Sequence, residues 1–338
     1  MNILVDAFGG DNSPIEIISG VVNALNESKN LFNVVLLGDE IILKQLLSKY
    51  HYPLGRLLII DTKEVITNDD HPVDAIRGKK NSSIVVGLKN LNSEKEAMAF
   101  ISAGSTGAVL AGAVLLLKRI EGINRPALAP LLPTSETESV VLIDCGANSE
   151  CKPEMLHQFA KMGDAYAKVA LSLVNPRIGL LNNGAEEKKG NELTQNTYKI
   201  LREDHSINFI GNAEGRDILS GNFDVIVADG FTGNIALKSC EGTALMMFSQ
   251  IKYGIQNGGI RAKIGYLLLK PVFRKLKDTA DYSSKGGAVL LGLQKLVIKV
   301  HGSAKSQTIK AAIFQAASLV EKNLISKVAE CMERIDKK

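Results

Sequence analysis

The run Asn182-Asn183-Gly184-Ala185-Glu186-Glu187-Lys188-Lys189-Gly190-Asn191 crowds amides, carboxylates, ammonium groups and glycines onto one turn, directly after the apolar stretch Ile178-Gly179-Leu180-Leu181. A helical pattern begins at Glu192. In an open α/β sheet, ligands bind outside the carboxyl ends of the strands, so a polar strand exit of this kind is a place for chemistry. The same grammar recurs. Ile3-Leu4-Val5 runs into Asp6-Ala7-Phe8-Gly9-Gly10-Asp11, and Ala99-Phe100-Ile101 into Ser102-Ala103-Gly104-Ser105-Thr106-Gly107. Val140-Val141-Leu142-Ile143 runs into Asp144-Cys145-Gly146-Ala147-Asn148, and Val225-Ile226-Val227 into Ala228-Asp229-Gly230-Phe231-Thr232-Gly233-Asn234. Together these junctions suit a cleft built from several loops around an anion and a polarised carbonyl.

Each loop has a plainer reading beside the chemical one. Ser105, Thr106 and Gly107 open a helix, whose free N–H groups and positive dipole end attract an anion; a simple capped turn would look the same. No Lys-Ser or Lys-Thr follows, and neither this loop nor Phe8-Gly9-Gly10 has the spacing of a dinucleotide fingerprint. Lys188 and Lys189 beside Glu186 and Glu187 would ordinarily form a solvated charged turn; the flanking glycines and the strand exit favour a functional one. Asp229 to Asn234 offers a close backbone approach and an amide able to donate to an oxyanion, or else a structural turn. Cys145 is the one thiol placed like a nucleophile, but with no histidine near it in sequence a small buried residue is the plainer choice. Asp6, Asp11, Asp144 and Asp229 could share a divalent ion, although aspartates are common at such places as helix caps. The five histidines are scattered, without HxxxH or cysteine-ligand spacing, so no zinc site is expected and no cofactor is called for.

The elements that must position these loops alternate. Val34 to Leu37 and Leu57 to Ile60 read as strands around a helix near Ile41 to Leu47, after an opening strand and a helix whose start, Ser13-Pro14-Ile15-Glu16, has the form of a capping box. Asn68 to Ser83, with Pro72, Arg77, Lys79 and Lys80, reads as a loop with short turns. Ala108 to Ile120 reads as a buried helix, and Ala127 to Leu132 as an antiparallel addition to the sheet. Helices near Met155 to Leu173 and Leu193 to Arg202 alternate with strands at Arg177 to Leu181 and Ile207 to Ile210. Such alternation gives an α/β fold with a mostly parallel, doubly wound sheet. Between Ala236 and Asp281 strands stop, and helical periodicity runs on both sides of Asn257-Gly258-Gly259: a projecting helical hairpin (236–281). A strand at Leu296 to Val300 and a helix from about Lys305 close the chain. The 338 residues could form one unit or two; we read 1–338 as a single large α/β domain carrying the hairpin.

Composition narrows the classes. Tryptophan is absent and aromatics make up 5%, against stacking platforms for single-stranded nucleic acid, and a net charge of +4 is too mild for a dedicated nucleic-acid binder. Four cysteines without a CxxC pair, and a strand that starts at once after Met1-Asn2, point to reduced thiols and a cytoplasmic location. The longest apolar run, Ala108 to Leu117, is about half a membrane span. At the hairpin tip Ile260, Ile264, Leu267 and Leu268 interleave with Arg261, Lys263 and Lys270, a pattern for a helix lying in an anionic membrane surface. A helical bundle with a second copy is the alternative; we expect the bundle at the base and the membrane contact at the tip.

The blocks VDAFGGDNSP (5–14), IRGKKNSS (76–83), SAGSTGAVLAGA (102–113), INRPALAPLLPT (123–134), IDCGAN (143–148), KKGNELT (188–194), VADGFTGN (227–234) and KGGAVLLGL (285–293) occur in this order. With them the chain closely resembles the phosphate acyltransferase (PlsX) family of bacterial phospholipid synthesis over nearly its whole length. The resemblance implies an isocitrate/isopropylmalate dehydrogenase-like fold, shared with phosphotransacetylases, a homodimer, and peripheral association with the membrane. It implies conversion of acyl-acyl carrier protein and inorganic phosphate into acyl phosphate, which passes to a membrane glycerol-3-phosphate acyltransferase. It places essential roles on Lys189 and Asn234. The chain departs from the family's usual residues at Asn12, where histidine is frequent, at Asn183, and at Val289, where proline is usual.

The expected chemistry is direct attack of phosphate on a thioester. A phosphate's second ionisation lies near pH 6, so the nucleophile needs holding more than activating. Lys189 and the Ser105 to Gly107 loop would hold it; Asn234 with the Gly230 to Gly233 backbone, Gly230, Thr232 and Gly233 among its residues, would face the oxyanion. Asp6, Gly9, Gly10, Asn148, Gly190, Asn191 and Asp229 complete the expected binding surface. The alternatives are a coenzyme A-dependent phosphotransacylase, an NAD- and metal-dependent dehydrogenase on the same fold, and a non-catalytic membrane scaffold.

Overall fold

The computed structural model describes residues 1–135, 139–280 and 285–333. The chain opens with β1 (Asn2–Asp6), α1 (Ile15–Glu27), β2 (Asn33–Gly38), α2 (Glu40–Leu47) and β3 (Leu57–Asp61). Next come α3 (Pro72–Gly78), α4 (Ser83–Ser93), β4 (Ala97–Ser102) and α5 (Thr106–Leu116). β5 (Ala127–Ala129), β6 (Leu131–Leu132), β7 (Val140–Ile143), α6 (Pro153–Ala170), β8 (Ile178–Asn182), α7 (Glu192–Glu203), β9 (Phe209–Glu214) and β10 (Val225–Val227) form the middle. α8 (Gly230–Asn257) and α9 (Gly259–Ala280) precede β11 (Ala288–Leu291), β12 (Leu296–Lys299), α10 (Ser306–Glu321) and α11 (Leu324–Glu333).

The fold is α/β and mostly parallel, as the alternation requires, but its strands form two sheets rather than one. The first has the order β3-β2-β1-β4-β12-β11-β5, the second β6-β7-β10-β8-β9. The antiparallel pairings involve β11, which joins β12 and β5, and β6, which joins β7. The short run Ala127 to Leu132 explains the division. Its first half pairs with β11 in one sheet and its second half with β7 in the other, with Pro130 between them. Proline lacks the N–H that would let one ladder continue; its carbonyl still accepts from Leu142 N at 3.2 Å. Central parallel strands bury both faces, which is why β7 and β10 read as unbroken apolar runs. The largest buried core takes Ile3, Ile101 and Ile298 from the first sheet, Phe159 and Tyr166 from α6, and Ile143 and Val225 from the second.

Several local expectations are corrected. Asn68 to Ser83 is largely helical: Pro72 opens α3, and the Ser82 hydroxyl accepts from Val85 N to cap α4. The buried helix stops at Leu116, short of Ile120, and Arg119 bridges to Leu293. Ser13 and Glu16 make no capping box. The Ser13 hydroxyl donates to Phe8 O and Gly10 O, while the Glu16 carboxylate accepts from Ser306 N at 2.7 Å and ties α1 to α10. The hairpin's first helix begins at Gly230, so α8 carries the last polar loop as its own first turns. Gly259, at φ +68°, makes the break before α9; Asp281 lies outside the described residues. The closing helix is two, separated at Asn323.

Candidate active site

At the carboxyl ends of the strands lies a cavity of about 190 Å³ between the two sheets. Thr106 enters from the first turn of α5, Cys145 from the β7 exit, and Asn234, Lys238 and Glu241 from one face of α8. Lys299 and His301 enter from the β12 exit, and Lys285 from the strand start opposite. Leu128, Pro130, Leu131 and Leu237 give it an apolar side. Of the sequence-selected residues, the structure therefore brings Thr106 and Asn234 together.

Others brace this cavity from behind. Asp6 is buried, accepts from the Ser102 hydroxyl at 2.7 Å and from Phe8 N at 3.2 Å, and burial raises its pKa. Gly9 lets the first and second loops touch: a Cβ there would sit 2.6 Å from Gly104 N. Gly10 takes φ +93°, and the next residue, Asp11, donates its N–H to Gly302 O at 2.8 Å. Asn12, where the family often has histidine, is a strut whose amide donates to Ser303 O and Ala304 O. Asp144, fully buried and raised in pKa by that burial, accepts from Leu128 N, Ala147 N, Asn148 N and the Asn148 amide. The second amide hydrogen of Asn148 goes to Pro126 O at 2.8 Å. Both donors of Asn148 are thus spent on the scaffold. Gly233 packs so closely that a Cβ would lie 1.9 Å from Asp144 O. Gly233→Ala should therefore cost roughly 1–3 kcal/mol or more through backbone displacement. A thermal melt within a degree of the parent would contradict that packing.

The two helix starts at the cavity differ in kind. α8 is closed: the Asp229 carboxylate accepts from Thr232 N at 2.9 Å and from its hydroxyl at 2.7 Å. Gly230 N donates to Asn148 O and Gly233 N to Asp229 O. The expected oxyanion role of the Gly230, Thr232 and Gly233 N–H groups is corrected accordingly, because those donors are occupied; the Asn234 side chain is what faces the cavity. α5 is open. Ser105 occupies its N-cap position without a side-chain cap bond, and among the described residues no side chain accepts from the first-turn N–H groups of Thr106, Gly107 and Ala108. Gly107 allows close contact with Pro72 of α3.

The Lys189 turn lies elsewhere. Asn182, Asn183, Gly190 and Asn191 line a second hollow of about 430 Å³ with Asp229, Thr232 and Ile235. Residues 229, 232 and 235 occupy one side of the start of α8, while 234, 238 and 241 occupy another, so this helix is the wall between the two hollows. Lys189 is exposed, its stem lying over Gly184, and it lines neither space. Gly190 adopts φ +95° beside Thr194, and the Asn191 side chain caps α7 through Thr194 N. The hairpin residues Ile260, Arg261, Lys263, Ile264, Leu267 and Leu268 are all distant in sequence from these loops and exposed along α9.

Lys299 and His301 were not selected from the sequence. Lys299 is 8% exposed and donates to Val300 O; among the described residues no carboxylate pairs with it. Burial lowers its pKa to about 8 against the opposing pull of Asp6. His301 is lowered too, first by burial and then by Lys238, whose Nζ lies 3.4 Å from its Nε2. Lys238 also pairs with Glu241 at 2.8 Å. The available signal was Lys299-Val300-His301-Gly302-Ser303 after an apolar strand, a further junction of the kind already singled out. Cys145 is buried, its Sγ lies 3.6 Å from Leu142 O, and burial holds its thiol well above the usual pKa. A thiol kept protonated in this way is a poor nucleophile.

Comparison with known proteins places this chain in a family. A family model described as "Fatty acid synthesis protein" matches residues 1–327. A phosphate acyltransferase from Clostridium novyi (strain NT) is 48% identical over 334 residues, covering 99% of each chain. Among solved structures, the EutD phosphotransacetylase from Staphylococcus aureus aligns with a TM-score of 0.58 at 16% identity, covering 94% of this chain and 93% of that one. A 4-hydroxythreonine-4-phosphate dehydrogenase from Salmonella typhimurium, for which that activity is itself an assignment, aligns with a TM-score of 0.52 at 14% identity, covering 94% and 99%. At these identities the structural likeness concerns the fold alone.

Proposed function

The chain belongs to the phosphate acyltransferase family, whose reaction is acyl transfer to phosphate, and from that premise we propose that the donor is a fatty acyl-acyl carrier protein and the product an acyl phosphate for phospholipid synthesis. The observation that carries the reading is the meeting of the open α5 start and the Asn234 amide in one cavity with an apolar side. Phosphate seats on the first-turn N–H groups, where the helix dipole favours a dianion. The thioester carbonyl enters from the side of Asn234, whose amide donates to the oxygen as it becomes an oxyanion. An oxygen of phosphate bonds to the carbonyl carbon, and collapse expels the thiolate of the carrier's arm. A thiol pKa of about 8.5 makes that group able to leave with modest assistance. The buried, protonated Cys145 supports transfer without an acyl-enzyme. Lys189, exposed beside the second hollow, acts on the donor's side of the α8 wall.

The hairpin serves assembly and location in this reading. α8 and α9 pack on each other and leave Leu245, Met246 and Met247 exposed on α8 and Ile260, Leu267 and Leu268 exposed on α9. A second copy covers the base to give a homodimer, and the tip rests on an anionic membrane surface near the membrane glycerol-3-phosphate acyltransferase. No described helix is long and apolar enough to cross a membrane. The test of the reaction is direct: protein, inorganic phosphate and either acyl-acyl carrier protein or acyl-coenzyme A are incubated, and acyl phosphate is trapped with hydroxylamine. Hydroxamate formed preferentially from the carrier-protein donor is expected. Equal or better use of coenzyme A would overturn the donor assignment, and no hydroxamate from either would overturn the reaction.

A further inference from the structure

We infer that Lys299 is a phosphate-holding residue, its ammonium closing over inorganic phosphate from the β12 side while the first turn of α5 holds it from the other. The inference deepens the reaction proposed above and rests on it for the identity of the anion. Four observations converge. Thr106 and Lys299 line the same cavity, and they also line a second, small space beside Val109, Leu110 and Leu290. Lys299 lies at the carboxyl end of a central strand, the usual place for a ligand contact in this architecture. Its ammonium is buried with a neighbouring backbone carbonyl for company and no paired carboxylate among the described residues. Further positive charge, from Lys238 and Lys285, stands on the same walls.

A buried, unpaired cation destabilises the empty protein, because desolvation is not offset by a counter-charge. Asp6 and Asp11 favour its charged form, but burial outweighs them and Lys238 opposes it. A dianion in the cavity removes that deficit. The arrangement therefore ties phosphate affinity to the charge of Lys299, while Glu241 is engaged by Lys238 and His301 is held toward its neutral form by burial.

The experiment uses the full-length protein and inorganic phosphate. Phosphate should raise the melting temperature of the parent relative to chloride at matched ionic strength, and Lys299→Met should abolish that rise. Without phosphate the variant should melt at or above the parent temperature, a gain that a merely structural lysine would not show. In the hydroxylamine assay its KM for phosphate should increase about tenfold or more, the loss of a charged hydrogen bond, with KM for the acyl donor little changed. With the parent protein, KM for phosphate should rise as pH increases through about 8, where Lys299 loses its proton. An unchanged KM for phosphate in the variant, or a flat profile in the parent, overturns the inference. Should Lys299→Met fail to fold, Lys299→Gln and the parent pH profile decide it. If the parent makes no acyl phosphate the proposed reaction falls, and the melting shifts alone still decide whether Lys299 holds phosphate.

Discussion

Asn234→Ala should yield a protein that folds and melts like the parent but turns over about 10²–10³ times more slowly, the usual cost of deleting one oxyanion donor. The separation of effects follows from where the residue sits. Asn234 is exposed, one turn inside α8, and the cap of that helix is closed by Asp229, Thr232 and Asn148 without it. Alanine is also the better helix former, so nothing in the scaffold is lost. The amide is the uncharged donor that α8 turns toward the cavity. If the oxyanion forms there, KM for phosphate should move little while kcat collapses, because the amide's contact strengthens in the transition state. A kcat within a few-fold of the parent would remove Asn234 from the reaction. A large fall in melting temperature would instead make it part of the scaffold.

Replacing both Leu267 and Leu268 with glutamate should abolish flotation with anionic liposomes and leave hydroxamate formation in solution intact. Ile260, Ile264, Leu267, Leu268 and Val272 follow one another at helical spacing, and each is more than half exposed. Arg261, Lys263 and Lys270 are spread along the same helix, close enough to meet headgroups when that apolar face enters the membrane boundary. Each basic residue near such a surface is worth about 1 kcal/mol, screened by salt. The two charges introduced by the substitution oppose both contributions at once. The cavity is built from strand exits and the opposite end of α8, so catalysis should not sense the change. Neutral liposomes should bind the parent more weakly than anionic ones. Equal flotation of parent and variant would place the membrane contact elsewhere.

Much of the fold was legible because parallel strands announce themselves as apolar runs and their exits as glycine-rich polar turns. The division into two sheets was not legible. It depends on Pro130 splitting six residues between two ladders, which no periodicity signals. α3 was hidden because seven residues give too little pattern, and polarity resembled a loop. At the site, Thr106 and Asn234 were found because they fall in recognisable loops. Asp6, Asn148 and Asp229 look identical to ligand-binding residues in sequence, yet their polar atoms turn inward onto neighbouring backbone and side chains. Which way a polar loop residue points is settled by long-range partners. Lys299 was missed for the converse reason: a lysine ending a strand reads as a solvated end, and only the folded neighbours reveal its burial.

The run Ala127 to Leu132 has a mechanical meaning as well. It is an edge strand to both sheets, joined to β11 on one side of Pro130 and to β7 on the other, and Leu128 also receives Asp144 and Cys145 through its N–H and carbonyl. A load on either sheet is therefore transmitted to the other within a few residues, at the apolar side of the cavity itself. The two halves are geared rather than hinged: a displacement of one ladder pulls on the other through Pro130.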